Sequence, residues 1–309
     1  MVSRTTDDLL NKIKRRAFIP SSQSTFTDEE LLEVATEELH GVIVPDIIKT
    51  REDYFVFKDT SSTLDGSSNQ TFNIPERAVG LQLREVSVTS GGSERNIPRL
   101  DIEDRVYQNV GGNVYGFDIT SNQINLFGGC TGTLNLYYYL RPGALVKSTQ
   151  ARQVVSTTSN SITVASFLSG WTTSTTFDVV KATGGFDYRA IGLTVDTLDS
   201  GTATITFNED LPTEAWKSIQ AGDWLVESEY SPVPQIPQEW QEYLAEAVVG
   251  YIMESIGDSE GFQRAQARKD ELRKNALSII SSRVDGESKK IVPRRNRING
   301  IYDSKYRNY

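Results

Sequence analysis

The stretch that decides the fold runs from Pro234 to Val284 and reads PQIPQEWQEYLAEAVVGYIMESIGDSEGFQRAQARKDELRKNALSIISSRV. Pro237 suits the first turn of a helix, and apolar residues then recur with the three-and-four spacing of one buried helical face. They are Trp240, Tyr243, Leu244, Ala247, Val248, Tyr251, Ile252 and Ile256. Gly257 can end that helix in the left-handed conformation, and Asp258 can cap a second one. The same period continues to about Val284 through Phe262, Ala265, Leu272, Ala276, Ile279 and Ile280. A helical hairpin is therefore predicted.

A hairpin cannot bury its own apolar stripe alone, so a further helix must pack on it. Thr27, followed by Glu30, is a capping-box pattern and predicts where that helix begins. Its apolar face comprises Leu31, Leu32, Val34, Ala35, Leu39, Val42 and Ile43, and we expect Pro45 to kink or end it. Before it, residues 1–26 carry a basic cluster and predict a short helix or arm and then a loop. The two ends of the chain therefore meet.

Between these helices the apolar period becomes alternating, which is typical of strands. Strand candidates in the first β region are Tyr54–Phe57, Thr71–Ile74, Val79–Val88, Asn113–Ile119, Gln123–Phe127 and Thr133–Leu140. Those in the second are Ser161–Val164, Phe177–Val180, Leu193–Val195, Thr202–Phe207 and Asp223–Glu227. The first region indicates an antiparallel sheet or sandwich, and the second a small inserted barrel or sandwich.

The predicted fold class is α+β, with a helical base from which β parts project. Residues 1–50 form an N-terminal arm and helix, 51–145 an antiparallel sheet or sandwich, and 146–231 the inserted β part. Residues 232–285 are the helical hairpin and 286–309 an extended basic tail. The chain leaves the helical base once and returns to it.

Charge divides the chain of 309 residues into an acidic body and a basic tail. The formal net charge is −9, yet residues 289–309 hold seven Lys or Arg against one Asp, a net charge of +6, which leaves −15 on the rest. Such a body does not favour wrapping DNA. The tail could bind nucleic acid or an acidic protein surface, and the tyrosines among its charges favour the protein surface, because arginine and tyrosine anchor protein interfaces. The predicted contact residues of the tail are Lys289, Lys290, Arg294, Arg295, Arg297, Tyr302, Lys305, Tyr306, Arg307 and Tyr309.

Few residues suit catalysis or metal binding. The single cysteine, Cys130, excludes an internal disulfide, and the single histidine, His40, excludes the usual zinc sites. We interpret His40 as a helix cap or dipole partner and Cys130 as part of a glycine-rich turn. Asp101, Glu103 and Asp104 form either an acid-base or cation site or, as we favour, a solvated acidic loop. We predict no enzyme and no cofactor.

Two other features bear on partners and location. Trp171, Trp216 and Trp224 could stack on a sugar, although buried core tryptophans are the favoured interpretation. No apolar run approaches the roughly 20 residues that span a bilayer, and the N-terminus lacks the apolar block of a secretory signal. We therefore expect no membrane partner and synthesis in a reducing cytoplasm.

Five stretches, in order along the chain, resemble the head-to-tail adaptor (connector) proteins of tailed bacteriophages. They are Phe26–Leu32 with Ile43–Pro45 and Arg51–Val56, then Gly132–Pro142, Gly222–Val226, Pro232–Pro237 ahead of the hairpin, and Arg283–Gly286. None is a catalytic motif, so the weight lies in their number and order.

The resemblance implies a structural virion protein at the head-tail interface, in a ring of probably twelve copies that joins the portal protein to the tail nozzle or tube. Double-stranded DNA would pass through its channel without sequence-specific binding. The resemblance also implies that the tail grips a neighbour or the portal, and that the helices pack between subunits through Leu31, Leu32, Leu39, Trp240, Leu244, Tyr251 and Leu272. Two other hypotheses stay open: a receptor- or glycan-binding module of a phage tail, and a virion hydrolase that uses the acidic loop.

Overall fold

The fold was obtained as a computed structural model, which describes residues 5–19, 25–101, 114, 116–182, 185–213 and 217–281. It is mixed α+β with antiparallel sheets, as predicted. The helices are α1 (Thr6–Arg16), α2 (Asp28–Glu38), α3 (Val44–Thr50), α4 (Gln238–Ser255) and α5 (Ser259–Ile280), with a π-helical turn (Leu39–Ile43) between α2 and α3.

The helix ends follow the capping residues. Thr27 and Glu30 form the predicted capping box, and Thr5 with Asp8 forms a second one at the start of α1. Gly257 lies between α4 and α5 with φ +77°, and the Asp258 side chain accepts from the Gly261 amide, so the predicted hairpin is confirmed. Pro237 is the residue before the helix and not part of its first turn, which corrects the prediction by one position.

Pro45 neither ends nor breaks the first long helix. The chain passes from α2 through the π-helical turn into α3, and Pro45 lies in the first turn of α3, where its missing amide costs little. The wider turn supplies one extra residue before the proline, so the helical path continues.

One apolar core joins the helices. The fully buried side chains of Leu31, Leu39, Trp240 and Leu244 meet in it, together with Ile13 of α1. Both α1 and α2 pack on α4, so the hairpin has two partner helices where the sequence predicted one. Each such side chain contributes about 1.5–3 kcal/mol by leaving water.

Parts of the predicted helical faces are exposed. Tyr251 of α4 is 45% exposed, Ile256 just after α4 is 56% exposed, and Ile279 of α5 is 59% exposed. Of the residues of α5, only Ala265 and Ala276 are fully buried. The period places Tyr251 at the edge of the apolar stripe, where the described part of the chain covers only part of it.

The first β region forms two antiparallel sheets. Its strands are β1 (Val56–Asp65), β2 (Thr71–Asn73), β3 (Ala78–Ser90), β4 (Ser93–Asn96), β5 (Gly116–Thr120), β6 (Gln123–Phe127) and β7 (Thr131–Leu140). One sheet has the order β1-β7-β3-β4 and the other β2-β6-β5. Leu64, Val86, Ile124 and Leu134 belong to the shared core.

The second β region contains a closed barrel of order β10-β13-β12-β11-β14-β9, so of the two predicted forms the barrel is the one found. Its strands are β9 (Arg152–Thr157), β10 (Ser161–Val164), β11 (Thr176–Val180), β12 (Tyr188–Asp199), β13 (Thr204–Phe207) and β14 (Trp224–Glu227). Phe177 and Phe207 fill its core. Before and after the barrel, β8 (Ala144–Leu145) and β15 (Tyr230–Ser231) pair in parallel.

Candidate interaction surfaces

The predicted contact residues of the tail lie outside the described residues. They are Lys289, Lys290, Arg294, Arg295, Arg297, Tyr302, Lys305, Tyr306, Arg307 and Tyr309. Their role stays a prediction.

Five of the residues predicted to pack between subunits are buried within the chain itself. Leu31, Leu32, Leu39, Trp240 and Leu244 are at most 3% exposed. They stabilise the helical core and reach no outer surface, so any contribution to contacts between subunits is through the shape of the helices. Tyr251 is exposed and Leu272 half-buried, and these two side chains can touch a neighbour directly.

Ion pairs tie the hairpin to α1, α2 and α3. Arg273 of α5 binds both carboxylate oxygens of Asp46, at 2.7 and 2.9 Å. Tyr243 donates to Glu38 at 2.6 Å. Arg16 of α1 bridges two carboxylates of α4, those of Glu242 and Glu246, at 2.8 and 2.9 Å. Because most of these groups are partly shielded from water, the bonds orient the hairpin on α1, α2 and α3 as well as attach it.

The exposed side of α2 is acidic. Glu29, Glu33 and Glu37 recur every four residues and point along one side of the helix, and all three are exposed. Glu29 binds Lys147 at 3.0 Å, whereas Glu33 and Glu37 have no cationic partner among the described residues. Like charges four residues apart destabilise a helix by about 0.2–0.5 kcal/mol per pair. The repulsion between Glu33 and Glu37 therefore destabilises this helix slightly, and no cation of the described chain offsets it.

A groove lies beside this acidic side. Its volume is about 450 Å³, and its apolar floor is formed by Leu32, Ala144, Leu145 and Val146, with half-exposed Tyr230 at one edge. A second concavity of about 290 Å³ shares Val146, Gln150 and Tyr230 and runs on to Leu168 and Glu227 of the barrel region. Of the described residues that line the two, Lys147 alone is cationic. We call this surface the acidic groove.

A buried polar network joins the barrel to the first β region and to the segment before α4. Asp178 of β11 is fully buried and accepts from Arg77 at 2.6 Å. Tyr188 of β12 accepts from Arg77 at 2.8 Å and donates to Gln235 at 2.7 Å. Nothing in the sequence pattern pointed to this network, because its members lie in four separate segments.

His40 is neither a cap nor a dipole partner, which corrects that interpretation. It lies in the π-helical turn, and its Nε2 donates to the Pro142 carbonyl oxygen at 3.0 Å. Burial lowers its pKa below the ordinary value, and the nearby Arg141 charge acts in the same direction. The histidine is a neutral link between the helices and the end of β7.

The other candidate residues form no reactive constellation among the described residues. Cys130 is half-buried beside β7, after Gly128 and Gly129, and lies against the apolar core. Asp101 is exposed, and Glu103 and Asp104 lie outside the described residues. The cysteine therefore lies in the predicted turn.

The sugar-stacking interpretation loses two of its three tryptophans. Trp171 and Trp224 are buried, as the favoured interpretation predicted, and Trp171 packs edge-on against Phe177 at 4.8 Å between ring centroids. Trp216 lies outside the described residues. A buried ring offers no face to a ligand.

One polar cluster was not predicted. On the sheet formed by β1, β7, β3 and β4, the carboxylate of Glu94 accepts from Ser87, Asn135, Tyr137 and Lys58. The hydroxyl of Ser87, with the ammonium of Lys58, lowers the pKa of Glu94 to about 2. A carboxylate held ionised in this way is unsuited to act as a general acid, and the cluster serves to pin β4 to its sheet.

The described part of the chain contains no group of three or more His, Cys, Asp or Glu side chains placed to hold a metal ion. Among the described helices, none combines the length and the apolar character needed to cross a bilayer. No family model matches the chain, and no curated protein matches it either.

Proposed function

We propose that this protein is a structural head-to-tail adaptor of a tailed bacteriophage, acting as a ring of twelve copies between the portal protein and the tail nozzle or tube. In this proposal the helices form a base from which the β parts project. The resemblance of five ordered stretches motivates it, and it assigns the protein no catalysis.

The observation that carries the proposal is the exposure of α5. Of the 22 residues of α5, two are fully buried and 12 are exposed, and Ile279, with Tyr251 of α4 and Ile256 just after α4, adds exposed apolar area. Ion pairs to Asp46 and to Glu246 attach the helix to α3 and α4. A helix attached to its own chain with one side exposed can make the same contact in every copy.

The net charge supports the same role. The first 288 residues carry −15. An acidic wall repels phosphates, so DNA can slide through a channel without binding to it.

The test is electron microscopy of the portal ring of the same phage, imaged alone and after it has been mixed with this protein. The expected result is a second tier of symmetric density on one end of the portal, whose symmetry gives the copy number. Truncation before Lys289 should abolish that tier while circular dichroism shows an unchanged fold. Bare portals, with both proteins folded, would contradict the proposal.

A further inference from the structure

We propose that the acidic groove binds the basic C-terminal segment, residues 289–309, of a neighbouring copy of this chain. The inference rests on the proposed function in that it takes the copies to be adjacent. It adds the surface on which the segment docks.

Charge is the first argument. The groove presents Glu29, Glu33, Glu37 and Glu227 against one lysine, Lys147, which already binds Asp28 and Glu29. The segment carries a net charge of +6. Glu33 and Glu37, which lack a cation in the described chain, are the side chains that a basic segment would satisfy.

Spacing is the second argument. Carboxylates four residues apart on a helix are separated by a rise of about 6 Å. An extended chain places alternate side chains on one side about 6.6 Å apart. Arg295 with Arg297, and Lys305 with Arg307, are such alternate pairs. Either pair matches the repeat of Glu33 and Glu37.

Shape is the third argument. The floor of the groove is apolar and Tyr230 at its edge is half-exposed, so an aromatic side chain can pack where the carboxylates do not reach. In an extended segment Tyr306 falls between the two cations and turns to the opposite side from them. Arginine and tyrosine together are what anchor desolvated protein contacts.

The test uses the full-length protein with Tyr306 replaced by a benzoyl-phenylalanine photocrosslinker. Illumination should give a product with the mass of two chains, and mass spectrometry should map its bond to residues 29–37, to Val146 or to Tyr230. The control carries the same probe at Val155, which is exposed on β9 and lines neither concavity of the groove, and it should give no bond to the groove.

A second measurement removes two negative charges from the groove. In the Tyr306 probe protein, Glu33→Gln with Glu37→Gln should reduce the yield about 2- to 30-fold, from two ion pairs of the strength usual at a surface. The matched control, Asp196→Asn with Asp210→Asn, removes two exposed carboxylates of the barrel region that line neither concavity of the groove, and it should leave the yield unchanged.

Three results would overturn the inference: a bond that maps outside the groove, a product of one-chain mass, which would place the segment in its own groove, or a yield that changes less than twofold in the Glu33 and Glu37 variant. The adaptor proposal is judged separately by microscopy. If the ring binds the portal but the crosslinks map outside the groove, only the groove assignment is refuted. If the crosslinks map to the groove but the protein does not bind the portal, only the adaptor role is refuted.

Discussion

The buried contact between Arg77 and Asp178 offers the sharpest test of what attaches the barrel. Asp178 is fully buried and accepts four hydrogen bonds: from Arg77, Gly192, Ser228 and the amide of Glu229. The perturbation is Arg77→Met, which keeps an unbranched apolar stem and removes the cation. The carboxylate then loses its counter-charge but stays out of water.

The magnitude follows from that burial. Removing one partner of a buried ion pair costs about 3–5 kcal/mol, because the remaining charge is uncompensated. That is a large part of the roughly 5–15 kcal/mol that stabilises a typical protein. Combining Arg77→Met with Asp178→Asn removes both charges, so the double variant should be more stable than the sum of the single effects predicts, by about 1–3 kcal/mol.

The assay is urea unfolding of the wild type, both single variants and the double variant, followed by circular dichroism and tryptophan fluorescence. The control is Arg84→Met, since Arg84 lies 4.0 Å from the exposed carboxylate of Glu52 and should lose no more than about 1 kcal/mol. A loss below about 1 kcal/mol for Arg77→Met, or strict additivity of the two changes, would refute the reasoning.

Three further predictions concern the hairpin and two titrating groups. Gly257→Ala should destabilise by about 1 kcal/mol in urea, because φ is +77° there although no atom lies within 4 Å of the new methyl group. Gly41→Ala, equally uncrowded but at a helical φ, should stabilise by about 0.4–1 kcal/mol, and equal effects would contradict the backbone argument. Because the pKa of Glu94 is lowered from 4.5 to about 2, its stabilisation is complete above about pH 4.5 and is lost as the pH falls toward 2. Glu94→Gln should therefore be less stable than the wild type at pH 7 and equal near pH 2, and a difference that persists at pH 2 would count against it. Proton NMR of the single imidazole should give His40 a midpoint below 6.5, so that its protonation destabilises the fold as the pH falls; a midpoint at or above 6.5 would disprove its burial.

Helices and caps could be predicted because their signals are local. The hairpin around Gly257 and the capping box at Thr27 each depend on residues within a few positions of one another. The exposure of Tyr251 could not be predicted, since a period assigns a residue to a stripe but does not say where the partner helices end. The role of α1 as a second partner of α4 was missed for the same reason.

The strands likewise divide into those that a local sequence pattern predicts and those that it does not. Gln123–Phe127 and Ser161–Val164 match the predicted ranges, because buried and exposed residues alternate there or apolar side chains dominate. The edge strand β4 is polar throughout, and β8 and β15 have two residues each, so no alternation marks them. Closure of the barrel depends on the pairing of β9 with β10 and β14, which short strands do not encode locally.

The candidate surfaces show the same limit. The acidity of α2 is visible in the sequence, but the groove beside it exists only because β8 and β15 bring Val146 and Tyr230 next to Leu32. Likewise, the segments of Arg77 and Asp178 meet only in the folded chain.

The parallel pair of β8 and β15 has a consequence for how this protein can be altered. Neighbouring strands lie about 4.8 Å apart, so the chain leaves for the barrel and returns from it at almost one place. A few linking residues could close that gap, and another compact domain whose termini lie close together could take the place of residues 152–227. Asp178 and Tyr188 of the barrel bond the side chain of Arg77, so such an exchange would also have to supply those partners or replace Arg77.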